Sequence, residues 1–261
     1  MTNYQALDFS ITDRIATIRF DRPDAANGLN LQMATELNQV AQQCSNDANI
    51  KAVILTGSGR FFCAGGDLNS MLEHETGPGA GVTEIATQLH EALSVLARMD
   101  APVITAINGT AAGAGFSIAV TGDLVVAAES AKFTMAYTKV GLSPDGSSSY
   151  YLPRIIGIRR TQELMFTNRV LSAQEAMDWG LVTKVVPDED IESSAREMAQ
   201  IFVSGAKGSS ATVKSLLMQS LSNDLETQMA LECQGIANCA DSKDGKEGIS
   251  AFIEKRKPEY E

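Results

Sequence analysis

Two tracts of small residues have the composition of a site for negative charge. Phe61-Phe62-Cys63-Ala64-Gly65-Gly66-Asp67-Leu68 follows one apolar run, and Ile107-Asn108-Gly109-Thr110-Ala111-Ala112-Gly113-Ala114-Gly115-Phe116 follows another and opens a helical pattern. Glycine and alanine let a ligand press against bare backbone. The amides of a helix's first turn have no partner inside the helix, and the positive end of the helix dipole lies there too. Two backbone donors brought together from separate loops make an oxyanion hole. Either tract alone fits a tight turn or a close helix contact better than a ligand site. Asp145, in Ser143-Pro144-Asp145-Gly146, is a candidate proton carrier, although Pro-Asp-Gly also makes a turn in which Asp bonds its own backbone. His90 stands alone in a helical pattern, where an ordinary exposed or core role competes with catalysis. His74, within Glu73-His74-Glu75, reads as solvated, and Cys63 reads as a small packing residue rather than a nucleophile.

The elements that must position these residues alternate. Residues 11–20 read as a hairpin-like pair of strands ending at Arg22-Pro23. A helix is expected from Leu31 to about Ala48, a buried strand at 53–56, a mobile Gly-rich surface loop at 75–81 and a helix at 83–99. A strand at 103–107, a helix from Gly113 to about Thr121, a strand at 124–128 and a short strand at 133–135 follow. After Pro153 the pattern is helical: 159–167, 172–180, 190–204, and from Ala211 to the tail. Strands alternating with helices imply an α/β layered core built on crossover connections.

With 44% hydrophobic and 20% charged residues, the chain can fill a substantial core. A net charge of −11 argues against nucleic acid or an anionic membrane as the main partner. An anionic substrate then needs local positive groups or backbone donors. No secretory signal is apparent in Met1-Thr2-Asn3-Tyr4-Gln5, and no apolar run reaches membrane-spanning length. Cys44, Cys63, Cys233 and Cys239 show no metal or redox spacing, so a reducing, cytoplasmic setting without a metal is expected.

Taken in order, the motifs resemble the crotonase, or enoyl-CoA hydratase/isomerase, superfamily along nearly the whole chain. The resemblance rests on Asp21-Arg22-Pro23 with Asn27, Val53-Ile54-Leu55-Thr56-Gly57 leading into the first tract, and Pro102-Val103-Ile104-Thr105-Ala106 leading into the second. Further on it rests on Gly122-Asp123, Ala131-Lys132-Phe133, Gly141-Leu142-Ser143-Pro144-Asp145, Leu152-Pro153-Arg154 and Ala176-Met177-Asp178-Trp179-Gly180-Leu181-Val182. The tail adds Glu247-Gly248-Ile249-Ser250-Ala251-Phe252. The resemblance implies a spiral of ββα units over residues 1–200 and a C-terminal helical region, 201–261, used in trimer contacts. It also implies an acyl-CoA substrate, with coenzyme A entering as the thioester and no separate cofactor, and a homotrimer or a dimer of trimers.

By the same resemblance the amides of Gly66 and Ala114 are the oxyanion donors, and Ala64, Asp67 and Leu68 hold the adenine end of CoA. Asp67 also suits a helix N-cap without any ligand. Where hydratases of the family carry two catalytic glutamates, this chain has Ser117 and Tyr137. That departure disfavours simple hydration, which needs groups that position water and deliver a proton. The stretch Phe133-Thr134-Met135-Ala136-Tyr137-Thr138-Lys139-Val140-Gly141-Leu142, with Asp145 beyond it, is similar to the phenylacetate-pathway ring-epoxide isomerases. His90 together with Asp145 is similar to the 4-chlorobenzoyl-CoA dehalogenases, whose aspartate-orienting tryptophan corresponds to Tyr137. Lys255, Arg256 and Lys257 could meet CoA phosphates or form a solvated charge run. The leading expectation is double-bond isomerisation with Asp145 as acid and base. The alternatives are a dehalogenase-like or hydrolytic enzyme with an Asp145 nucleophile and a His90 base, and a non-catalytic acyl-CoA-binding scaffold.

Overall fold

The alternating residues near the start fold as an antiparallel pair, β1 (Leu7–Thr12) and β2 (Ile15–Phe20), in a computed structural model that describes residues 4–261. The turn between them places Asp13 and Arg14 at φ 53° and 65°, a handedness matched to the twist of a hairpin. From β2 the sheet continues in parallel through β3 (Ala52–Gly57), β5 (Val103–Ile107), β7 (Leu124–Ala128) and β10 (Lys184–Val186). Every residue of β3 and β5 is buried, as expected of parallel strands covered on both faces. Helices α1 (Leu31–Asn46) and α3 (Pro78–Arg98) pack on the face carrying Val53 and Leu55. Helix α7 (Ile191–Val203) covers the opposite face through Ile54, Ile104 and Val126.

A second, smaller sheet carries the site. Its strands are β4 (Phe61–Cys63), β6 (Thr110–Ala112), β8 (Lys132–Thr134) and β9 (Leu171–Ser172), in that order. Each of β3, β5 and β7 runs into the next short strand of the small sheet and then into a helix. Those helices are α2 (Leu68–Leu72) with α3, α4 (Ala114–Ala119) and α5 (Ser148–Thr167). This is the ββα spiral expected from the resemblance. Helix α6 (Ala173–Asp178) leads back to β10, and α8 (Lys207–Ser220), α9 (Leu225–Asp241) and α10 (Lys243–Glu254) complete the helical C-terminal region.

One sequence expectation is corrected and one is extended. The Gly-rich passage is only in part a loop, because α3 begins at Pro78: proline at a first helical position gives up no hydrogen bond. Gly81 is then needed inside the helix, since a Cβ there would come within 3.1 Å of the His74 side chain. The helix expected at 159–167 is present after a break at Gly157 (φ 76°), and a helical segment beginning at Ser148 and running through Pro153 precedes it. The fixed φ of Pro153 fits a helix and removes a single donor from it. No helix among the described residues is long and apolar enough to cross a membrane.

Candidate functional site

The two small-residue tracts meet through their glycines. Gly65 and Gly113 both have positive φ, 106° and 52°. A Cβ built on either would lie 3.5–3.6 Å from the Cα of the other. That approach brings the next residues, Gly66 and Ala114, to one place. Leu29 pairs with the first tract by donating to the Gly65 carbonyl at 2.7 Å and accepting from Asp67 N–H at 2.9 Å. This parallel bridge turns the Gly66 N–H away from Leu29. Ala114 is the first residue of α4, so its N–H has no partner within the helix. Neither amide donates to another group among the described residues. With six residues, α4 is short for a strong dipole, so directed N–H groups rather than a macrodipole make the local field. Gly115 must lack a side chain, since a Cβ there would come 2.0 Å from the Cys63 carbonyl oxygen and force the two tracts apart.

Both amide-bearing residues line a cleft of 370 Å³. Leu29, Met71, Ile85 and Val140 give it apolar walls, and Tyr137, Ser143 and Asp145 supply its polar side chains. Asp145 sits on a loop and Tyr137 opens a short 3-10 turn, and residues in the left-handed region adjoin both, strained at the non-glycines Ala136 and Ser147. Ala136, just before Tyr137, has φ 54°, and Gly146 and Ser147, just after Asp145, have φ 59° and 67°. The Asp145 carbonyl accepts from the Ser148 hydroxyl at 3.0 Å, which ties the loop to the start of α5.

The Tyr137 hydroxyl donates to Asp145 Oδ1 at 2.6 Å, and the Ser117 hydroxyl lies 3.0 Å from the Tyr137 oxygen. Burial and the adjacent Asp145 charge push the Tyr137 phenol well above its ordinary range, so it stays a proton donor. Asp145 Oδ2 is 3.5 Å from His90 Nε2. That contact is not an ion pair in this arrangement: Gly146 N–H donates to the same nitrogen at 3.1 Å. The acceptor role leaves Nε2 without a hydrogen and assigns the imidazole proton to Nδ1. His90 is half-exposed on α3 and is absent from the cleft lining.

At the mouth of the cleft Ala64 and Leu68 are exposed. Asp67 does cap a helix: its Oδ1 accepts from Ser70 N–H at 3.3 Å, while Oδ2 pairs with Arg22 at 3.0 Å. Cys63 is fully buried, and burial pushes its thiol up to about 12, the behaviour of a packing residue. His74 is less solvated than its neighbours suggest, with Glu84 3.3 Å from Nε2 and Thr76 Oγ1 3.1 Å from Nδ1. Lys255, Arg256 and Lys257 are exposed, and Arg256 is taken up by Glu247 at 2.6 Å and Glu254 at 2.7 Å. No cluster of His, Cys, Asp or Glu among the described residues could hold a metal ion. A separate 230 Å³ cavity between α5 and α8 holds the Lys214–Asp123 pair and is lined by neither Gly66 nor Ala114.

Sequence reasoning gave no role to two asparagines that hold the first tract in place. Asn27 Nδ2 donates to the carbonyls of Ser58 and Phe61 at 2.9 and 2.8 Å. Asn108 accepts from Gly57 N–H at 3.0 Å and donates to the Gly59 carbonyl at 3.0 Å. Their signal in the sequence is an amide side chain beside each Gly-rich corner, and for Asn27 also its place in the first motif of the resemblance.

A two-sheet ββα spiral with two free amides facing a carboxylate across an apolar cleft defines a crotonase-type enzyme. The chain belongs to the enoyl-CoA hydratase/isomerase family, whose model matches residues 10–261. It is 37% identical over 247 residues to the 1,2-epoxyphenylacetyl-CoA isomerase of Escherichia coli (strain K12), covering 94% of each chain. It is 35% identical over 229 residues to 4-chlorobenzoyl coenzyme A dehalogenase-2 of Arthrobacter sp., covering 86% of this chain and 82% of that one. The crystal structure of an enoyl-CoA hydratase from Polaromonas sp. JS666 superposes with a TM-score of 0.94 at 33% identity, covering 98% of this chain and 100% of the other.

Proposed function

We propose that the protein is an acyl-CoA isomerase in which Asp145 carries a proton between two carbons of the acyl group. Asp145 Oδ2, the oxygen without a hydrogen-bond donor, takes a proton from the carbon beside the thioester carbonyl. The electron pair of that C–H bond moves onto the carbonyl oxygen, and the resulting enolate oxygen accepts from Gly66 and Ala114 N–H. Asp145 then returns the proton to the far carbon of the conjugated system, so the double bond shifts and no atom is gained or lost. Each backbone donor of this kind is worth roughly 10²–10³-fold in rate. The apolar walls suit an uncharged acyl group, with Ala64, Asp67 and Leu68 receiving the CoA end at the mouth.

The observation that carries this reading is that Ser117 and Tyr137, at the positions of the hydratase glutamates, are bonded toward Asp145 instead of offering carboxylates to water. The test is incubation with a 3-enoyl-CoA in deuterated water, following thioester absorbance and deuterium uptake, with Asp145→Asn beside the wild type. Conversion that vanishes in the variant supports the proposal; conversion retained in the variant refutes it.

The nearness of His90 to Asp145 favours a second reading, with Asp145 as nucleophile and His90 as the base that activates water. Against it stands the Gly146 N–H, which occupies the Nε2 lone pair such a base would use. A trimer or a dimer of trimers is part of the proposal. The C-terminal helices leave Leu217, Ile236, Phe252 and Ile253 at least two-thirds exposed, apolar surface that subunit contacts would cover.

A further inference from the structure

We propose that Ser117 is a positioning residue for the acid–base step, acting on Asp145 through Tyr137 and tying that carboxylate to the loop that supplies the Ala114 amide. The proposal rests on the reading of Asp145 as the proton carrier.

The hydrogen-bond directions follow from counting protons. Tyr137 has one hydroxyl hydrogen, and the 2.6 Å contact with a carboxylate oxygen claims it. The 3.0 Å contact between Ser117 and Tyr137 is then a hydrogen bond only if Ser117 donates. Its other acceptor, the Gly113 carbonyl, lies farther away at 3.3 Å and already accepts the Ser117 N–H at 3.0 Å. The result is a one-way chain, Ser117 to Tyr137 to Asp145, in which each donor polarises the next. Ser117 is fully buried, so no water competes for its hydroxyl. It stands three residues after Ala114, on the first turn of α4, and its N–H to the Gly113 carbonyl is part of that turn.

Three short contacts therefore connect the enolate-holding side of the cleft to its proton-carrying side. The chain fixes Oδ1 and leaves Oδ2 as the oxygen that exchanges protons. Gly146 packs closely on this chain: a Cβ built on it would lie 2.9 Å from the Ser117 Cβ, so position 146 has no room for a side chain.

The test is a kinetic cycle of wild type, Ser117→Ala, Tyr137→Phe and the double variant on a 3-enoyl-CoA. Ser117→Ala keeps the Cβ that packs on Gly146. It is expected to lower kcat by about 3- to 10-fold, the worth of a neutral hydrogen bond, with KM within about twofold. In the Tyr137→Phe background the same change is expected to cost less than about twofold, because the relay is already cut. Ser117→Cys, similar in size but a weaker donor, is expected to fall between wild type and Ser117→Ala. Equal losses in both backgrounds, a loss confined to KM, or a Cys variant slower than the Ala variant would overturn the proposal. A wild type that moves no proton brings down the Asp145 reading and this one together. An active wild type matched by Ser117→Ala brings down this one alone.

Discussion

The Tyr137 hydroxyl and Asp145 Oδ1 are 2.6 Å apart, the shortest link between the two loops that meet over the cleft. Tyr137 is held there by a strained residue, Ala136 at φ 54°, so the contact is set by the backbone and not by chance rotamers. A hydrogen bond to a carboxylate is worth about 1.5–3 kcal/mol, so Tyr137→Phe is expected to lower kcat by about 10- to 100-fold. Steady-state kinetics on a 3-enoyl-CoA check this. Unchanged kcat would mean that Asp145 keeps its geometry unaided.

His90 separates the isomerase from the dehalogenase-like reading. A glutamine at 90 keeps an acceptor for Gly146 N–H, so His90→Gln is expected to isomerise within about threefold of wild type, a range suited to the loss of one neutral contact. Under the other reading the same variant stalls as a covalent aspartyl ester. Mass spectrometry of the acid-quenched protein distinguishes the two.

The Gly65–Gly113 approach predicts a double penalty. Gly113 holds φ 52° and ψ −124°, a conformation closed to residues with a Cβ. Gly113→Ala is expected to cost about 1–3 kcal/mol of stability. By displacing the Ala114 amide it should also slow turnover by at least about 100-fold. Urea denaturation measures the first effect and kcat the second. Full activity would mean that this amide is not used.

Cys63 makes a prediction about pH. Its thiol is pushed from 9.0 to about 12 by burial. The unfolded chain therefore releases this proton at lower pH than the folded one, and the stability it contributes is whole below pH 9 and is lost as pH rises toward 12. Cys44 acts in the same direction. Denaturation midpoints of wild type are expected to fall more steeply with pH above 9 than those of Cys63→Ala. Parallel slopes would contradict the assignment.

Much of this site is legible in the residues. Gly65-Gly66 and Gly113-Ala114 stand out because only bare backbone tolerates their approach, and the resemblance places Asp145 beside them. The long strands and α1 follow from burial and periodicity. Strands β4, β6 and β9, two or three residues each, are too short to carry a period, although they form the sheet beneath the site. Gly77 and Pro78 hide the start of α3, because they read as a loop and serve as a helix entry. The Ser117–Tyr137–Asp145 chain is illegible in the sequence for a different reason. It joins residues 20 and 8 apart through side-chain hydroxyls, and sequence spacing says nothing of such directions.

The central claim is that Asp145 moves a proton at the carbon beside a thioester carbonyl whose developing charge is held by Gly66 and Ala114. The most direct measurement is proton exchange at that carbon of a saturated acyl-CoA in deuterated water, followed by NMR for wild type and Asp145→Asn. The account predicts exchange catalysed by wild type and lost in the variant, by roughly 10²–10⁴-fold for removal of a general base, with thioester binding retained. Exchange that persists in Asp145→Asn, or no exchange with wild type, would contradict it.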